Sequence, residues 1–167
     1  LVYFHSKGLG VPIACEMAAI AATKVVEKSG VKTLEKKELL FNSVFTNGVF
    51  DILHKGHKEL FNFCKILGKK LVVGINSDLS VKKIKGKDRP YNLQKKRIDN
   101  LKKLKIIDRI IPFKNKTPIR IIKKIKPDLI VKGGDYKEKN VVGYNFSKVF
   151  IFPLIKGYSS TKIINKL

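Results

Sequence analysis

The stretch "SVFTNGVFDILHKGHKELFNFCKIL", residues 43–67, changes its hydrophobic period in the middle. "SVFTNGVF" reads as a strand. From "HKELFNFCKIL" onward Leu60, Phe63, Cys64 and Leu67 recur on one helical face, and Gly68 supplies a C-terminal cap. The strand is expected to end near Phe50 and Asp51, and the helix to begin near Lys55 or Gly56. Two of the three histidines, His54 and His57, stand at this joint. A helix N-terminus offers unpaired backbone N–H groups and the positive end of the helix dipole, which together attract phosphate. Gly56 lets an anion approach the backbone closely, and histidines three residues apart share one face of a helical turn. Asn47 and Gly48 are read as the turn that brings the strand end to the ligand. Residues 46–60 contain no Ser or Cys, so an attacking group must come from a second substrate, and the site suits charge stabilisation on a phosphoryl group. The same spacing equally fits two histidines that simply cap a helix, or a chance HxxH. Without a nearby third ligand it makes a poor metal cage.

Outward from this joint, strand and helix patterns alternate. "KLVVGIN" reads as a buried strand, "SDLSVKKIKGKDRP" as a polar basic loop and "LQKKRIDNLKKL" as an amphipathic helix. "DRIIPF" is a strand, "TPIRIIKKI" a helix opened by Thr117 and Pro118, "PDLIVKG" and "KVFIFPL" the last strands, and "SSTKIINKL" a closing helix. This alternation implies an α/β fold with a Rossmann-like, doubly wound, parallel five-stranded sheet, whose ligands sit at the C-terminal strand ends near a switch point.

Residues 1–40 read differently. Pro12 suits a first helical turn, Ile13, Met17, Ile20, Ala21 and Val25 recur at helical spacing, and Ser29-Gly30 gives a stop. Alanine is concentrated here. A helical appendage with a charged connector at Lys32 to Glu38 is expected before a domain at 41–167.

The 167 residues carry 36 Lys and Arg against 13 Asp and Glu, a formal charge of +23. Only Arg89, Arg97, Arg109 and Arg120 are arginines. A dedicated nucleic-acid reader favours arginine forks, whereas lysine here travels with isoleucine and asparagine, as in an AT-rich genome. Drift and selection for polyanions both stay open, and a basic nucleic-acid- or membrane-binding module is the non-enzyme alternative. The apolar run Val11 to Ala22 is too short to span a bilayer and carries Glu16. Cys15 and Cys64, in apolar helical patterns, read as buried thiols in a reduced cytosol.

"TNGVFDILHKGH" resembles the signature T-x-G-x-F-D-x-x-H-x-G-H of the HxGH nucleotidyltransferases, which include cytidylyltransferases and pantetheine-phosphate adenylyltransferase. "LVVGINSDLSVKKIKGKDRP", "PDLIVKGGDY" and "PLIKGYSSTKII" are similar to the adenylyltransferase domain of the bifunctional heptose 7-phosphate kinase/heptose 1-phosphate adenylyltransferases, from about Ser43 to the end. The resemblance implies transfer of AMP from ATP to D-glycero-β-D-manno-heptose 1-phosphate, with Mg²⁺, in the cytoplasm, by a homodimer and without specific nucleic-acid or membrane partners. A CTP-dependent enzyme acting on glycerol 3-phosphate is the alternative; the absence of arginine in "PLIKG" weakens it. Residues 1–35 resemble the final helical segment of a ribokinase-like kinase domain. That kinase's Gly-Ala-Gly-Asp motif would precede Leu1, so kinase activity is not expected of this chain, and a fragment of a longer protein is.

The resemblance also implies roles. His54, His57 and Lys85 are the catalytic group, with the histidines on the triphosphate and Lys85 on the acceptor phosphate. Thr46, Asn47, Gly48, Phe50, Gly56, Lys132, Gly133, Ser159, Ser160 and Thr161 fall to the nucleotide. Asp51, Asn76, Asp78, Arg97 and Asp135 fall to the acceptor. Each has a plainer counterpart: Asp51 orients Mg²⁺ or substrate, or caps a helix; Arg97 contacts the basic loop, or is helix-surface charge; the glycines after Lys132 frame a ligand, or form a turn; one of Ser159 to Thr161 caps a helix.

Overall fold

A computed structural model describes residues 2–6, 11–26, 40–134, 136–153 and 163–164. The chain divides into two compact units, Leu1–Leu40 and Phe41–Leu167. The first contains helices α1 (Val2–Ser6) and α2 (Val11–Val26). The stop at Ser29-Gly30 and the connector fall outside the described residues. Cys15 is exposed, against the expectation of a buried thiol; it does not share the buried side of α2 with Ala14 and Met17.

The second unit is built on β1 (Phe41–Gly48), α3 (Lys55–Leu67), β2 (Gly68–Asn76), α4 (Asp78–Lys85), α5 (Gln94–Lys102), β3 (Arg109–Phe113), α6 (Ile119–Ile125), β4 (Leu129–Gly133) and β5 (Lys148–Phe152). All neighbouring strands are parallel, in the order β3-β2-β1-β4-β5. The order reverses between β1 and β4, which makes their C-terminal ends the switch point of the sheet.

Strand alternation puts two sets of side chains on two faces. Phe45, in register with Val72 and Ile130, packs with Ile122 of α6 and Val141. Toward α3, the Phe63 ring lies 4.9 Å from that of Phe150 and 5.1 Å from that of Phe152. Helix α3 buries Leu60, Phe63, Cys64 and Leu67, the four residues of the sequence pattern, and also Phe61. Each such side chain contributes roughly 1.5–3 kcal/mol on burial. Two aspartates pin the strand starts: Asp128 Oδ2 accepts from Ser43 N at 2.8 Å, and Asp108 Oδ2 from Leu71 N at 2.7 Å.

Two local expectations change, and the Gly68 cap stands. The segment expected as a basic loop after β2 contains α4, because Ser77 Oγ accepts from Ser80 N as an N-cap and Ser80 and Val81 are buried beneath it. Gly68 caps α3 as expected, in an extended conformation (φ −132°), and the chain passes directly into β2. β1 stops at Gly48, so Asn47 and Gly48 are its last residues rather than the turn, and the chain turns at Phe50, whose φ is +51°. Of the closing helix, Ile163 and Ile164 are described and helical.

Candidate active site

The path from β1 to α3 is set by what Gly48 lacks. A Cβ there would meet the Phe50 ring at 3.0 Å, so glycine lets that ring fold back over the strand end without shifting. Phe50 then touches Phe61 at 5.1 Å and meets the His57 ring edge-on at 5.2 Å. His54 is the N-cap of α3, with extended backbone, and its carbonyl accepts from His57 N and Lys58 N. The two imidazoles stack, with centroids 3.8 Å apart and planes 24° from parallel.

Stacking two imidazoles in a partly dry setting disfavours charge on either. Burial lowers the pKa of His54. Burial, then the proximity of His54 and Lys85, takes His57 down to about 3, against the pull of the Ile52 carbonyl. His57 Nδ1 is buried without a well-aligned hydrogen-bond partner among the described residues. The pair is therefore neutral at physiological pH. Each neutral ring carries one N–H donor and one lone pair, and the Ile52 carbonyl competes for the donor of His57.

A cleft of about 330 Å³ opens at the strand ends, lined by Asn47 to Asp51, His57, Asn76, Ile84, Lys85, Arg89, Lys116, Lys132 and Tyr136. Lys132 Nζ donates to Asn47 O at 3.1 Å and lies 5.4 Å from the Tyr136 ring. Burial lowers its pKa to about 8. One carboxylate, Asp51, faces four cationic side chains in this lining, so the cleft favours an anion.

Asp51 is 4% exposed, and the helix-cap reading does not describe its contacts. It does not cap α3, a position His54 occupies. Its Oδ2 accepts from Tyr91 N at 2.8 Å and its Oδ1 from Asn92 N at 2.7 Å, while its carbonyl accepts from Asn92 Nδ2. It fastens the segment after α4 across the cleft. For Mg²⁺ the described residues offer a thin donor set: no group of three or more His, Cys, Asp or Glu is placed to hold a metal, and both oxygens of the lining carboxylate already accept backbone N–H bonds. Among the described residues the side chains alone do not form a cage for that ion.

Of the residues singled out in the sequence, the cleft gathers Asn47, Gly48, Phe50, Asp51, His57, Asn76, Lys85 and Lys132. His54 joins through its stack on His57. Thr46 is fully buried, and its Oγ1 has no hydrogen-bond partner among the described residues. Gly56, Gly133 and Asp78 do not line the cleft. Arg97 does not line it either, and is no surface charge: it is 0% exposed. Its guanidinium donates to Val49 O, Asn76 O, Asp78 Oδ1 and Asn92 O at 2.7–3.0 Å. It ties together the segments that surround the cleft. Asp135, Ser159, Ser160 and Thr161 lie outside the described residues. Arg89, Lys116 and Tyr136 are in the lining although the sequence reading gave them no role; for Arg89 the available signal was an arginine in a lysine-dominated chain, placed within the basic segment.

A parallel sheet of this order, with stacked HxxH imidazoles at a helix N-terminus beside a cleft lined by cations, defines an α/β domain of the nucleotidyltransferase class. The family model described as Cytidylyltransferase-like matches residues 45–166, and the chain belongs to that family. It is 39% identical over 177 residues to the Bifunctional protein HldE of Helicobacter pylori (strain ATCC 700392 / 26695), covering 92% of this chain and 38% of that protein. To the Bifunctional protein HldE of a Nitratiruptor species it is 48% identical over 125 residues, 74% of this chain and 27% of that one. The chain thus spans well under half the length of these curated relatives. The crystal structure of the lipopolysaccharide core biosynthesis protein from Thermoplasma volcanium superposes with a TM-score of 0.58 at 30% identity, over 71% of this chain and 99% of that one. Pantothenate synthetase from Thermus thermophilus shares the fold at 16% identity and a TM-score of 0.54, over 78% of this chain and 63% of that one.

Proposed function

We propose that residues 41–167 catalyse adenylyl transfer from ATP to D-glycero-β-D-manno-heptose 1-phosphate, releasing pyrophosphate and ADP-heptose. The observation that carries the reading is the neutral, stacked His54–His57 pair at the start of α3, opening into a cationic cleft at the switch point. The sugar comes from the resemblance of the segments around Lys85, Lys132 and Thr161 to heptose 1-phosphate adenylyltransferases, and the name of the Thermoplasma relative, a lipopolysaccharide core biosynthesis protein, agrees with it.

In this reading a phosphate oxygen of the sugar phosphate bonds to the α-phosphorus, the bond from that phosphorus to the β-bridging oxygen breaks, and pyrophosphate leaves with the electron pair. The chain supplies no nucleophile. Its residues position two anions and stabilise charge that grows on the phosphoryl oxygens. The imidazoles and the N-terminus of α3 are assigned to the triphosphate, and Lys132 adds a cation beside Asn47. Ser159, Ser160 and Thr161 are assigned to the β- and γ-phosphates. Mg²⁺ enters as the counter-ion of ATP, held by the phosphates.

Residues 1–40 are read as the tail of a ribokinase-like kinase domain with its connector, and the active unit as a cytoplasmic homodimer, which sedimentation would test. Among the described residues no helix is long and apolar enough to cross a membrane. The deciding experiment is a panel of ATP, CTP, GTP and UTP against heptose 1-phosphate, glycerol 3-phosphate and phosphoethanolamine, read as pyrophosphate release. Release with ATP and heptose 1-phosphate at least tenfold above every other pair is expected; preference for CTP and glycerol 3-phosphate would replace this reading.

A further inference from the structure

The cations of the cleft come from two different parts of the sheet. Lys132 ends β4, beside β1, at the switch point where α3 also begins. Lys85 and Arg89 follow β2, and Lys116 follows β3, all on the other side of β1. In-line displacement requires the incoming oxygen and the leaving pyrophosphate on opposite sides of the phosphorus. Two cationic banks flanking one cleft match that demand.

We propose that Arg89 and Lys116 join Lys85 to hold the acceptor's phosphate monoester, with Arg89 as the principal contact and the triphosphate on the β1–β4 side. The assignment rests on the adenylyl-transfer reading above and extends it to residues to which neither the sequence reading nor the comparisons give a role.

The surroundings of Arg89 fit this use. Its side chain is 17% exposed, and its Nη1 lies 3.6 Å from Asp51 Oδ2. That separation is too long for a hydrogen bond, and Asp51 spends its oxygens on Tyr91 N and Asn92 N. The carboxylate holds the guanidinium at the cleft by charge without consuming its N–H donors. A planar guanidinium grips a phosphate monoester through two parallel hydrogen bonds, which an ammonium cannot do.

Lys116 is delivered by a buried relay. Asn76 Nδ2 donates to Ser80 Oγ at 2.9 Å, and Ser80 Oγ donates to Asn115 O at 2.8 Å. Asn76 and Ser80 are both buried. This chain fastens the segment after β3 to α4, so that Lys116 reaches the same cleft as Lys85.

The test uses the full chain, as wild type and as Arg89→Gln, Arg89→Lys and Lys116→Gln. Inorganic phosphate is titrated calorimetrically into protein saturated with a non-hydrolysable ATP analogue, and KM is measured for both substrates. The wild type is expected to bind phosphate beside the analogue. Arg89→Gln should weaken that binding and raise the sugar-phosphate KM at least tenfold, with analogue affinity within twofold of wild type. Arg89→Lys should fall between, and Lys116→Gln should lose threefold or more. Failure of the wild type to bind phosphate beside the analogue, or equal losses for analogue and phosphate in Arg89→Gln, overturns the subsite. If phosphate binding depends on Arg89 but heptose 1-phosphate accepts no adenylyl group, the subsite stands and the acceptor's identity falls. If ADP-heptose forms and its acceptor KM is unmoved in Arg89→Gln, the subsite falls and the activity stands.

Discussion

Arg97 Nη1 donates to the Val49 carbonyl at 2.7 Å, joining α5 to the segment that leaves β1. The same guanidinium reaches Asn76 O at the end of β2 and Asp78 Oδ1 at the start of α4. One buried fork thus fixes the relative position of three segments around the cleft. Arg97→Leu would leave Asp78 and three carbonyls without their donor, at a cost of about 3 kcal/mol. Arg97→Lys keeps the charge and loses the fork, so it should recover less than half of that. Urea unfolding of the three proteins measures both; a Lys variant as stable as wild type would remove the fork from the account.

His57→Ala should lower turnover by about 10²- to 10³-fold, the usual effect of losing one transition-state donor. Its KM for ATP should change less than tenfold. Because the His57 imidazole is held neutral in the free protein, with a pKa near 3, kcat/KM should not follow titration of His57 between pH 5.5 and 7.5. A tenfold change in kcat/KM across that window that disappears in His57→Ala would show that a charged His57 takes part.

Lys132 carries a pH signature in stability. Its pKa falls from 10.5 to about 8 on folding, through burial. A lysine whose folded pKa is depressed destabilises the fold while both states are protonated below about 8, and the penalty disappears as pH rises from 8 to 10.5. Lys132→Met should therefore stabilise the protein at pH 7 by up to about 3 kcal/mol, from 1.36 kcal/mol per pKa unit, and by much less at pH 10.5. It should also weaken ATP binding at pH 7. Thermal melts of both proteins at the two pH values give the answer; an equal difference at both would contradict the buried charge.

Gly74 lies in β2 where a Cβ would come within 2.8 Å of the Phe45 ring and 3.2 Å of Asn47 Cβ. Gly74→Ala should cost about 1–3 kcal/mol through overpacking. The displaced Asn47 would carry its carbonyl away from Lys132, so ATP affinity should fall in the same variant. Stability and affinity both unchanged would mean that Phe45 yields freely.

The strands and α3 were legible because their apolar periods are unbroken: Val44, Phe45 and Leu71 to Val73 alternate over a two-sided core, and Leu60 to Leu67 follow a helical stripe. The joint at His54 and His57 was legible for the same reason, since it lies where one period replaces the other. Helix α4 was not, because three lysines hide an N-cap and a buried face that depends on Ser80 as much as on Val81. The contacts of Asp51 and Arg97 were beyond reach. The partners of Asp51, Tyr91 and Asn92, and the Val49 partner of Arg97 lie 40 to 48 residues away along the chain, and local pattern carries no information about such pairs. Arg89 and Lys116 reach the cleft for a similar reason, through segments that follow different strands.

Diffraction from crystals grown with a non-hydrolysable ATP analogue tests the central claim most directly. Phosphate oxygens of the analogue within hydrogen-bonding distance of both His54 and His57, at the start of α3, are predicted. A phosphate chain bound elsewhere in the cleft, with both rings still stacked and untouched, would contradict it.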